Sequence, residues 1–258
     1  MSFVDEIFGI EGRAAILTGA GGHLIGEMSR ALGLARCKVA VLDLRKDKAD
    51  AVAEEIRAAG GIAIGLECDA TCKPQLEACL EQVVGEFGPL SIAVNGAGTN
   101  APTPFLEISI DDWKAVLDSQ INSTFLSCQV FGAHMLEHGG GSIINISSAS
   151  AGPPLSKAFA YSVAKAGIKN LTQSLGREWA TRNVRVNAIR PGFFPTEWNR
   201  KNFITPEREA AILGHTPMAR YGDVSELVGA LIWLASDASR FVTGAEITVD
   251  GGFSAMTI

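Results

Sequence analysis

The amino-acid sequence predicts one α/β domain, in which a doubly wound, parallel, seven-stranded sheet carries helices on both faces. Short runs of apolar and β-branched residues alternate with longer amphipathic stretches along the whole chain. Near-continuous apolar runs are typical of strands that are buried on both faces. Their alternation with helices predicts a parallel sheet, because right-handed crossovers place the helices on its two faces. No internal repeat or linker divides the 258 residues, so we expect a single domain spanning residues 1–258.

Seven strands and six helices follow from this pattern. The apolar runs that predict strands lie at residues 14–18, 39–42, 62–66, 91–95, 142–146, 184–189 and 246–249. Apolar residues recur at intervals of three and four, as a helix requires, in residues 24–35, 48–59, 73–87, 111–136, 158–181 and 225–235. Asp111 and Ser225 are placed to cap the fourth and sixth helices. Residues 191–217 carry no clear strand, and we expect an irregular substrate-binding loop there, at residues 193–217.

Composition and charge exclude several classes of protein. Hydrophobic residues make up 47% and charged residues 19% of the chain, which indicates an ordinary soluble protein rather than a disordered one. A formal net charge of -6 disfavours a nucleic-acid partner. No apolar run reaches transmembrane length, and the first residues lack the apolar core of a signal peptide. We therefore expect a cytoplasmic protein whose partner is a small molecule, with no membrane or nucleic-acid partner.

Neither disulfide bonds nor a metal site is expected. The five cysteines are odd in number and form no C-x-x-C motif, so free thiols are expected. His134 and His138 stand four residues apart and would share a helix face. Two ligands do not make a metal site, and a pair of histidines near a solvent-exposed helix end is the simpler interpretation.

Several polar residues stand where a parallel sheet gathers its binding groups. Tyr161 and Lys165 lie four apart on an expected helix, and a nearby ammonium would lower the pKa of the tyrosine. Ser148 follows one strand and residues 95–98 follow another, at the sheet edge where ligands bind. Asn122 interrupts the apolar face of the fourth helix. A buried amide there needs partners, so it belongs either to a local network or to a site.

The glycine-rich stretch TGAGGHLIG, residues 18–26, follows the first strand and looks like a phosphate-binding turn. The helix expected directly after it would present free N–H groups to a phosphate. Asp43 ends the second strand, where a carboxylate accepts hydrogen bonds from ribose hydroxyls and repels a 2′-phosphate, although it equally suits a turn. Arg45 and Lys46 lie just beyond it and would soften that repulsion.

Together these residues resemble the short-chain dehydrogenase/reductase family. The matching pieces are Thr18-Gly19, Asp69, Asn95-Gly96-Ala97-Gly98, Asn122, Ser148, Tyr161-x-x-x-Lys165, Pro191-Gly192 with Thr196, and residues 249–252. They keep the family's order and spacing over residues 12–252, which implies a Rossmann fold. Segments 215–218 and 251–255 are most similar to the branch that handles gluconate, fructuronate, mannonate and related polyols.

The glycine stretch departs from the family's pattern T-G-x-x-x-G-x-G, because His23 and Ile25 occupy its second and third glycine positions. The distance from Thr18 to Val39 has the family's length, so these are replacements and not an insertion. In the family, the second glycine lets the backbone approach the pyrophosphate and the third packs the helix against the strand. Gly21 and Gly22 would supply the turn one residue early. We expect a working cofactor loop with altered packing. Arg36 is a second departure, where relatives often have the glycine that ends this helix.

The resemblance implies an enzyme that transfers a hydride between a nicotinamide cofactor and a secondary alcohol or ketone, with Tyr161 as general acid–base. Lys165 would lower the pKa of Tyr161 and hold the nicotinamide ribose, Ser148 would stabilise the substrate oxygen, and Asn122 would anchor a proton-relay water. Asp43 favours NAD over NADP. The expected cofactor contacts are Gly19, Gly21, Gly22, His23, Leu24, Asp43, Leu44, Asp69, Ala70, Asn95, Ala97, Gly98, Tyr161, Lys165, Pro191, Gly192, Phe194 and Thr196.

The substrate is expected to be a sugar acid or polyol bound under the loop at residues 193–217. Ser150, Trp198, Asn199 and Arg200 are the expected substrate contacts. With Lys201 and Arg220, they would suit a carboxylate or phosphate group, although an ordinary charged loop explains these cations equally well. An acyl-carrier-protein ketoreductase is the main rival, followed by a cyclic or hydroxysteroid alcohol dehydrogenase.

Two other classes of protein, a cofactor-binding sensor and a hydrolase, are less consistent with the sequence. The altered glycine loop supports a non-catalytic NAD(H)-binding sensor, but the intact Ser148, Tyr161 and Lys165 oppose it. Residues 138–141 mimic an oxyanion-hole motif, yet the chain has no G-x-S-x-G nucleophile elbow, which opposes a hydrolase. The resemblance implies a homotetramer. The aromatic residues that would suit either its interfaces or the core are Phe125, Phe131, Trp179 and Phe241.

Overall fold

The structure is a computed structural model, and it describes residues 3–152, 155–196, 200–201 and 204–257. One sheet of seven parallel strands runs in the order β3-β2-β1-β4-β5-β6-β7. The strands are β1 Ala14–Thr18, β2 Lys38–Asp43, β3 Ile62–Glu67, β4 Leu90–Asn95, β5 Gly141–Ile146, β6 Val184–Pro191 and β7 Glu246–Val249. The predicted fold class is confirmed, and each expected strand is found within two residues at either end.

Helices cover both faces of this sheet. They are α1 Phe3–Phe8, α2 His23–Leu34, α3 Lys46–Ala58, α4 Lys73–Phe87, α5 Ile110–Leu117, α6 Ser123–Glu137, α7 Phe159–Glu178, α8 Pro206–Gly214 and α9 Val228–Ala235. Successive residues of a strand point to opposite faces. Ala15 and Leu17 of β1 accordingly lie in the core under α2, α3 and α9, whereas Ala14 and Ile16 lie in the core under α4 and α6. Burial of both faces explains why the strands read as continuous apolar runs.

The helix expected at residues 111–136 is divided into three parts. A π-helical segment, Asp118–Asn122, separates α5 from α6. Side-chain hydroxyls donate hydrogen bonds to the backbone carbonyls of this segment. Ser123 Oγ donates to Ser119 O at 2.6 Å, and Thr124 Oγ1 donates to Gln120 O at 2.8 Å. A change from four-residue to five-residue hydrogen bonding leaves the apolar spacing nearly intact, so periodicity does not reveal it. Such segments occur frequently at functional sites.

Both predicted helix caps are wrong. The cap of α5 is Ser109, whose Oγ accepts from Asp112 N at 3.0 Å, and not Asp111. The last helix is preceded by a 3₁₀ turn that Asp223 caps, with Ser225 N donating to Asp223 Oδ1 at 2.9 Å. Each cap lies two residues earlier than predicted, and the helical segments begin at Ile110 and Val224.

The expected irregular loop contains a helix. Thr205 caps α8, its Oγ1 accepts from Arg208 N at 3.2 Å, and Pro206 occupies the first helical turn. A cap followed by proline is a helix-start signal, but the four apolar residues of α8 are too few to show a clear period. Helix α1 was also missed, because it has no buried residue to set a pattern.

Among the described residues, no helix is both long and apolar enough to cross a membrane. The five cysteines are free thiols. No group of three or more His, Cys, Asp or Glu side chains that could hold a metal ion occurs in the described part of the chain. His134 and His138 stack on one another, with their ring centroids 4.0 Å apart.

Helix α2 ends in a backbone motif that normally favours glycine. Arg36 N donates to Gly33 O at 2.9 Å, and Cys37 N donates to Leu32 O at 3.0 Å, which is the pattern of a Schellman motif. Arg36 has a φ of 63°. This left-handed conformation costs a residue that has a β-carbon about 1 kcal/mol.

We expect Arg36→Gly to raise the free energy of unfolding by about 0.5–1 kcal/mol, because relief of the backbone strain outweighs the entropy that glycine adds to the unfolded chain. The exposed ion pair between Arg36 and Glu11, whose atoms lie 3.3 Å apart, contributes little. Equilibrium unfolding in urea measures the change. Arg36→Ala is the matched control, since it loses the same ion pair but keeps the β-carbon. A glycine variant no more stable than the alanine variant would contradict the strain.

Candidate active site

The carboxyl ends of three neighbouring strands, β1, β4 and β5, bring expected site residues to one edge of the sheet. Strand register pairs Thr18 of β1 with Asn95 of β4, and Asn95 with Asn145 of β5. The glycine-rich loop, residues 95–98 and the turn that carries Ser148 therefore start side by side. The strand order also reverses between β1 and β4, and ligands of doubly wound sheets bind at such a switch point.

The glycine-rich loop forms a turn that leads directly into α2. Gly19 has a φ of 68°, and a β-carbon on it would lie 2.7 Å from the Cα of Ala97. Gly22 is the cap of α2, and its carbonyl accepts the first helical hydrogen bond from Gly26 N at 2.8 Å. The N–H groups of the first helical turn have no partner within the helix. The loop therefore keeps the free donors that bind a phosphate, despite its changed residues.

The two family glycines are replaced in different ways. His23 is the exposed first residue of α2. Ile25 is buried, and a β-carbon added to Gly96 would lie 2.3 Å from its Cδ1. The isoleucine thus fills space between α2 and the end of β4 that only a glycine at position 96 leaves free. This contact accounts for the altered packing expected from the sequence.

Asp43 fixes the conformation of the glycine-rich loop. Its Oδ2 accepts from Gly21 N at 2.9 Å, and its Oδ1 accepts from Arg45 N at 3.0 Å. A β-carbon on Gly21 would lie 2.9 Å from the Asp43 carboxylate carbon. No local sequence pattern shows this role, because it depends on a contact between residues 22 positions apart. Arg45 and Lys46, expected to soften the charge of Asp43, are instead paired with Asp47 and Asp50.

Ser148, Tyr161 and Lys165 come together between β5 and α7. Tyr161 lies in the first turn of α7, and Lys165 lies one turn further along. The buried Lys165 Nζ donates to Ile146 O at 2.6 Å and lies 5.5 Å from the centroid of the Tyr161 ring. The Ser148 hydroxyl lies near enough to the Tyr161 hydroxyl to lower its pKa. The end of β5 thus supplies the carbonyl that anchors the lysine, and the turn directly after it supplies the serine.

The protonation equilibria of this group differ from the sequence-based expectation. Burial lowers the pKa of Lys165 to about 7. Burial also raises the pKa of Tyr161, and the hydrogen bond with Ser148 opposes that rise. The net direction for Tyr161 is a rise, because loss of solvation around the phenolate outweighs the effect of Ser148. The lowering expected from Lys165 remains a prediction.

Asn122 is exposed and not buried as expected. It is the last residue of the π-helical segment, and its Nδ2 donates to Asp118 Oδ1 at 2.5 Å. The apolar period predicted this residue on the inner face of the helix, whereas the structure leaves it exposed at the end of the π-helical segment. The π-helical segment packs on α7, where a β-carbon on Gly167 would lie 2.3 Å from Ile121 Cδ1. The role of Asn122 in holding a proton-relay water remains a prediction.

Asn95 points into the protein and not towards the sheet edge. Its Nδ2 donates to Asn145 Oδ1 at 2.9 Å, and Asn145 Nδ2 donates to Thr172 Oγ1 of α7 at 2.9 Å. All three side chains are buried. This chain of amides connects β4, β5 and α7. The cofactor contact predicted for Asn95 would therefore have to use its backbone.

The other predicted cofactor residues lie around the same edge. Asp69 accepts from Thr71 N and Oγ1, Ala70 is buried and Leu44 is exposed. Gly192 N donates to Val249 O at 2.9 Å. Phe194 lies against Gly222, where a β-carbon would come within 2.2 Å of the ring.

The predicted substrate residues are only partly described. Trp198 and Asn199 lie outside the described residues. Arg200 is exposed, with its guanidinium 4.7 Å from the centroid of the Tyr221 ring. Ser150 is buried, and its Oγ lies 3.1 Å from that of Ser148. Their binding roles remain predictions.

Arg220 is not a free cation over the site. Its two terminal nitrogens contact the carboxylate of Glu226 at 2.6 and 2.8 Å. Glu226 in turn accepts from Asp223 N at 2.8 Å and so completes a capping box. Arg220 therefore supports the start of a helix, an outcome that a count of basic residues in the loop does not reveal.

Comparisons with known proteins agree with this arrangement. A family model described as enoyl-(acyl carrier protein) reductase matches residues 25–254. D-threitol dehydrogenase of Mycolicibacterium smegmatis is 34% identical over 97% of this chain and 96% of its own. A solved gluconate 5-dehydrogenase from Burkholderia cenocepacia, in complex with NADP and tartrate, is 31% identical, with a TM-score of 0.93 over 98% of this chain and 99% of its own. A 7α-hydroxysteroid dehydrogenase complexed with NADH and 7-oxo glycochenodeoxycholic acid is 32% identical, with a TM-score of 0.91 over 98% of both chains.

The fold, the edge site and these full-length relatives define the class, a single-domain oxidoreductase of the Rossmann type. The chain belongs to the short-chain dehydrogenase/reductase family, and it is an oxidoreductase that acts on alcohols. The resemblance inferred from the sequence motifs is thereby confirmed.

Proposed function

We propose that this chain is an NAD(H)-dependent dehydrogenase that interconverts a secondary alcohol and a ketone of a sugar acid or polyol. The observation that carries the proposal is the grouping of Ser148, Tyr161 and Lys165 beside the glycine-rich loop at one sheet edge. The polyol and sugar-acid dehydrogenases among its relatives support the substrate class.

The residues present fit a nicotinamide dinucleotide. The close approach of Gly19 to Ala97 and the free N–H groups of α2 form a cradle that a pyrophosphate would enter. Asp43 lies beside that cradle with a carboxylate for the ribose hydroxyls. When bound, the nicotinamide would supply the hydride chemistry. It would be held by Lys165 at its ribose, by Thr196 at its carboxamide and by the loop that follows Pro191.

The chain's own residues then move the proton. Tyr161 would exchange a proton with the substrate oxygen as general acid–base. Ser148 would donate a hydrogen bond to the same oxygen and stabilise the charge that develops there. Lys165, anchored on Ile146 O, would favour the phenolate when it is protonated. Asn122 would hold a water that passes the proton to solvent.

Asp43 supports NAD over NADP. Its negative charge would repel a 2′-phosphate, and the nearby Arg45 and Lys46 are already paired with carboxylates. Among the relatives, one binds NADH and another binds NADP, so the preference must come from this chain's own carboxylate.

Residues 193–217 would close over the substrate. Arg200 and Lys201 are exposed cations in the described part of this segment, and they would supply positive charge for a substrate carboxylate. Arg220 is excluded from this role by Glu226. Trp198 and Asn199 remain predicted substrate contacts.

The proposed assembly is a homotetramer that works in the cytoplasm. Free thiols fit a reducing compartment. Of the four candidate interface residues, Phe125 and Phe241 are exposed, Phe131 is in the core and Trp179 is packed against it. Light scattering should give about four times the chain mass of 27.2 kDa. A monomer mass would overturn this assembly.

The proposed activity predicts turnover that depends on Tyr161. NADH absorbance should change when the protein is offered NAD with sugar acids or polyols. Tyr161→Phe should lower the rate by at least about a hundredfold while weakening NADH binding far less. Cyclic alcohols, hydroxysteroids and β-hydroxyacyl thioesters complete the panel, since the rival substrates must be excluded. NADH binding without any turnover would favour the sensor, and absence of NADH binding would overturn the cofactor site.

Two substitutions of Asp43 should separate its two contacts. Asp43→Asn removes the charge but keeps an oxygen for Gly21 N, so NADPH should bind about tenfold more tightly than to the parent and NADH should lose less than about tenfold. Asp43→Ala releases the loop as well, so both cofactors should bind weakly. Fluorescence titration measures all four affinities. An alanine variant that gains NADPH affinity as strongly as the asparagine variant would show that the loop needs no anchor.

A further inference from the structure

An ion pair is buried directly behind the serine of the site. Arg190 of β6 and Glu246 of β7 face one another, with Nη1 and Oε2 3.4 Å apart and side chains only 10% and 11% exposed. Lys169 of α7 adds a second cation, with its Nζ 3.6 Å from the same oxygen. None of these three residues belongs to the proposed cofactor or substrate contacts.

This ion pair holds the backbone turn on both sides of Ser148. On one side, Ser147 Oγ donates to Glu246 Oε1 at 2.6 Å. On the other side, Arg190 Nη2 donates to Ala149 O at 3.1 Å. Gly152 lies directly on the guanidinium, since a β-carbon there would be 2.3 Å from Nη2. Residues 147–152 are thus seated on Arg190 and tied to Glu246.

We propose that Arg190 and Glu246 are positioning residues, which hold residues 147–152 so that the Ser148 hydroxyl stays directed at Tyr161. The inference rests on the proposed function only in that it assigns the serine and tyrosine to one site. It makes no use of the substrate or of the cofactor.

The Ser148 hydroxyl needs such support because it has competing partners in its own turn. Ser150 N and Ser150 Oγ lie 3.2 and 3.1 Å from Ser148 Oγ. A small shift of the turn would leave the serine bonded to Ser150 and out of reach of Tyr161. A buried ion pair adds little net stability compared with packed apolar residues, but its fixed hydrogen-bond directions define the position of a turn.

The chain allows a direct test, because it contains two tyrosines. In a Tyr221→Phe background, the absorbance of tyrosinate reports the ionisation of Tyr161 alone. Ser148 lowers the pKa of Tyr161 against the effect of burial, so misplacement of Ser148 should raise the titration midpoint. Lys165, the titratable group beside the ring, is unchanged in every variant. Readings taken immediately after a pH jump precede alkaline unfolding.

Glu246→Gln separates positioning from direct electrostatics. Loss of a nearby negative charge would by itself lower the pKa of Tyr161, whereas misplacement of Ser148 would raise it. We expect a rise of about half a pH unit or more, approaching the rise produced by Ser148→Ala. The matched control is Glu226→Gln, which breaks an ion pair on the surface and should leave the midpoint unchanged.

Ser147→Ala covers the case in which Glu246→Gln fails to fold. It removes one of the two ties without changing any charge, so it should raise the midpoint by a smaller amount. Circular dichroism confirms folding of each variant. A midpoint that stays constant or falls in the folded variants would overturn the proposal and leave the ion pair a purely structural role. Failure of the turnover screen would not alter either outcome, because the titration needs no turnover.

Discussion

The position of α7 on β5 controls the geometry of the whole site. Apolar contact alone lets a helix slide along a sheet, because burial is nondirectional. Two polar contacts remove that freedom, one between Lys165 Nζ and Ile146 O and the other between Asn145 and Thr172. A buried amide without its partner is costly. The helix therefore has one stable register, and that register places Tyr161 opposite the serine at the end of the same strand.

The strands and the meeting of Ser148, Tyr161 and Lys165 could be predicted from the sequence because they depend on local patterns. A run of apolar residues indicates a strand that is buried on both faces. The carboxyl end of a parallel strand indicates the edge of the sheet at which ligands bind. The features that escaped prediction depend on pairs of residues far apart in the chain. Glu246 meets Ser147 only because β5, β6 and β7 are neighbours, and no local pattern shows that order. Asn122 was misplaced for another reason, since a π-helical turn changes direction without changing composition.

The glycine-rich loop was only partly predictable from the sequence. Its length and position predicted a phosphate-binding turn, whereas its contact with Asp43 joins residues 22 positions apart and shows in no local pattern. One carboxylate thus serves the loop and, in the proposed function, the ribose. A residue read as a selectivity determinant from its position alone is also part of the support for the backbone beside it.

The contact between Ile25 and Gly96 has a consequence for how such a loop can change. Helix α2 carries a large side chain at position 25, while the facing loop has glycine, which has no side chain, at position 96. The volume between the two elements is shared, so either position can be large only while the other is small. Restoring glycine at position 25 alone would leave a cavity, and enlarging position 96 alone would cause a clash. A large residue at position 25 therefore requires that position 96 stays glycine, so the two positions are coupled.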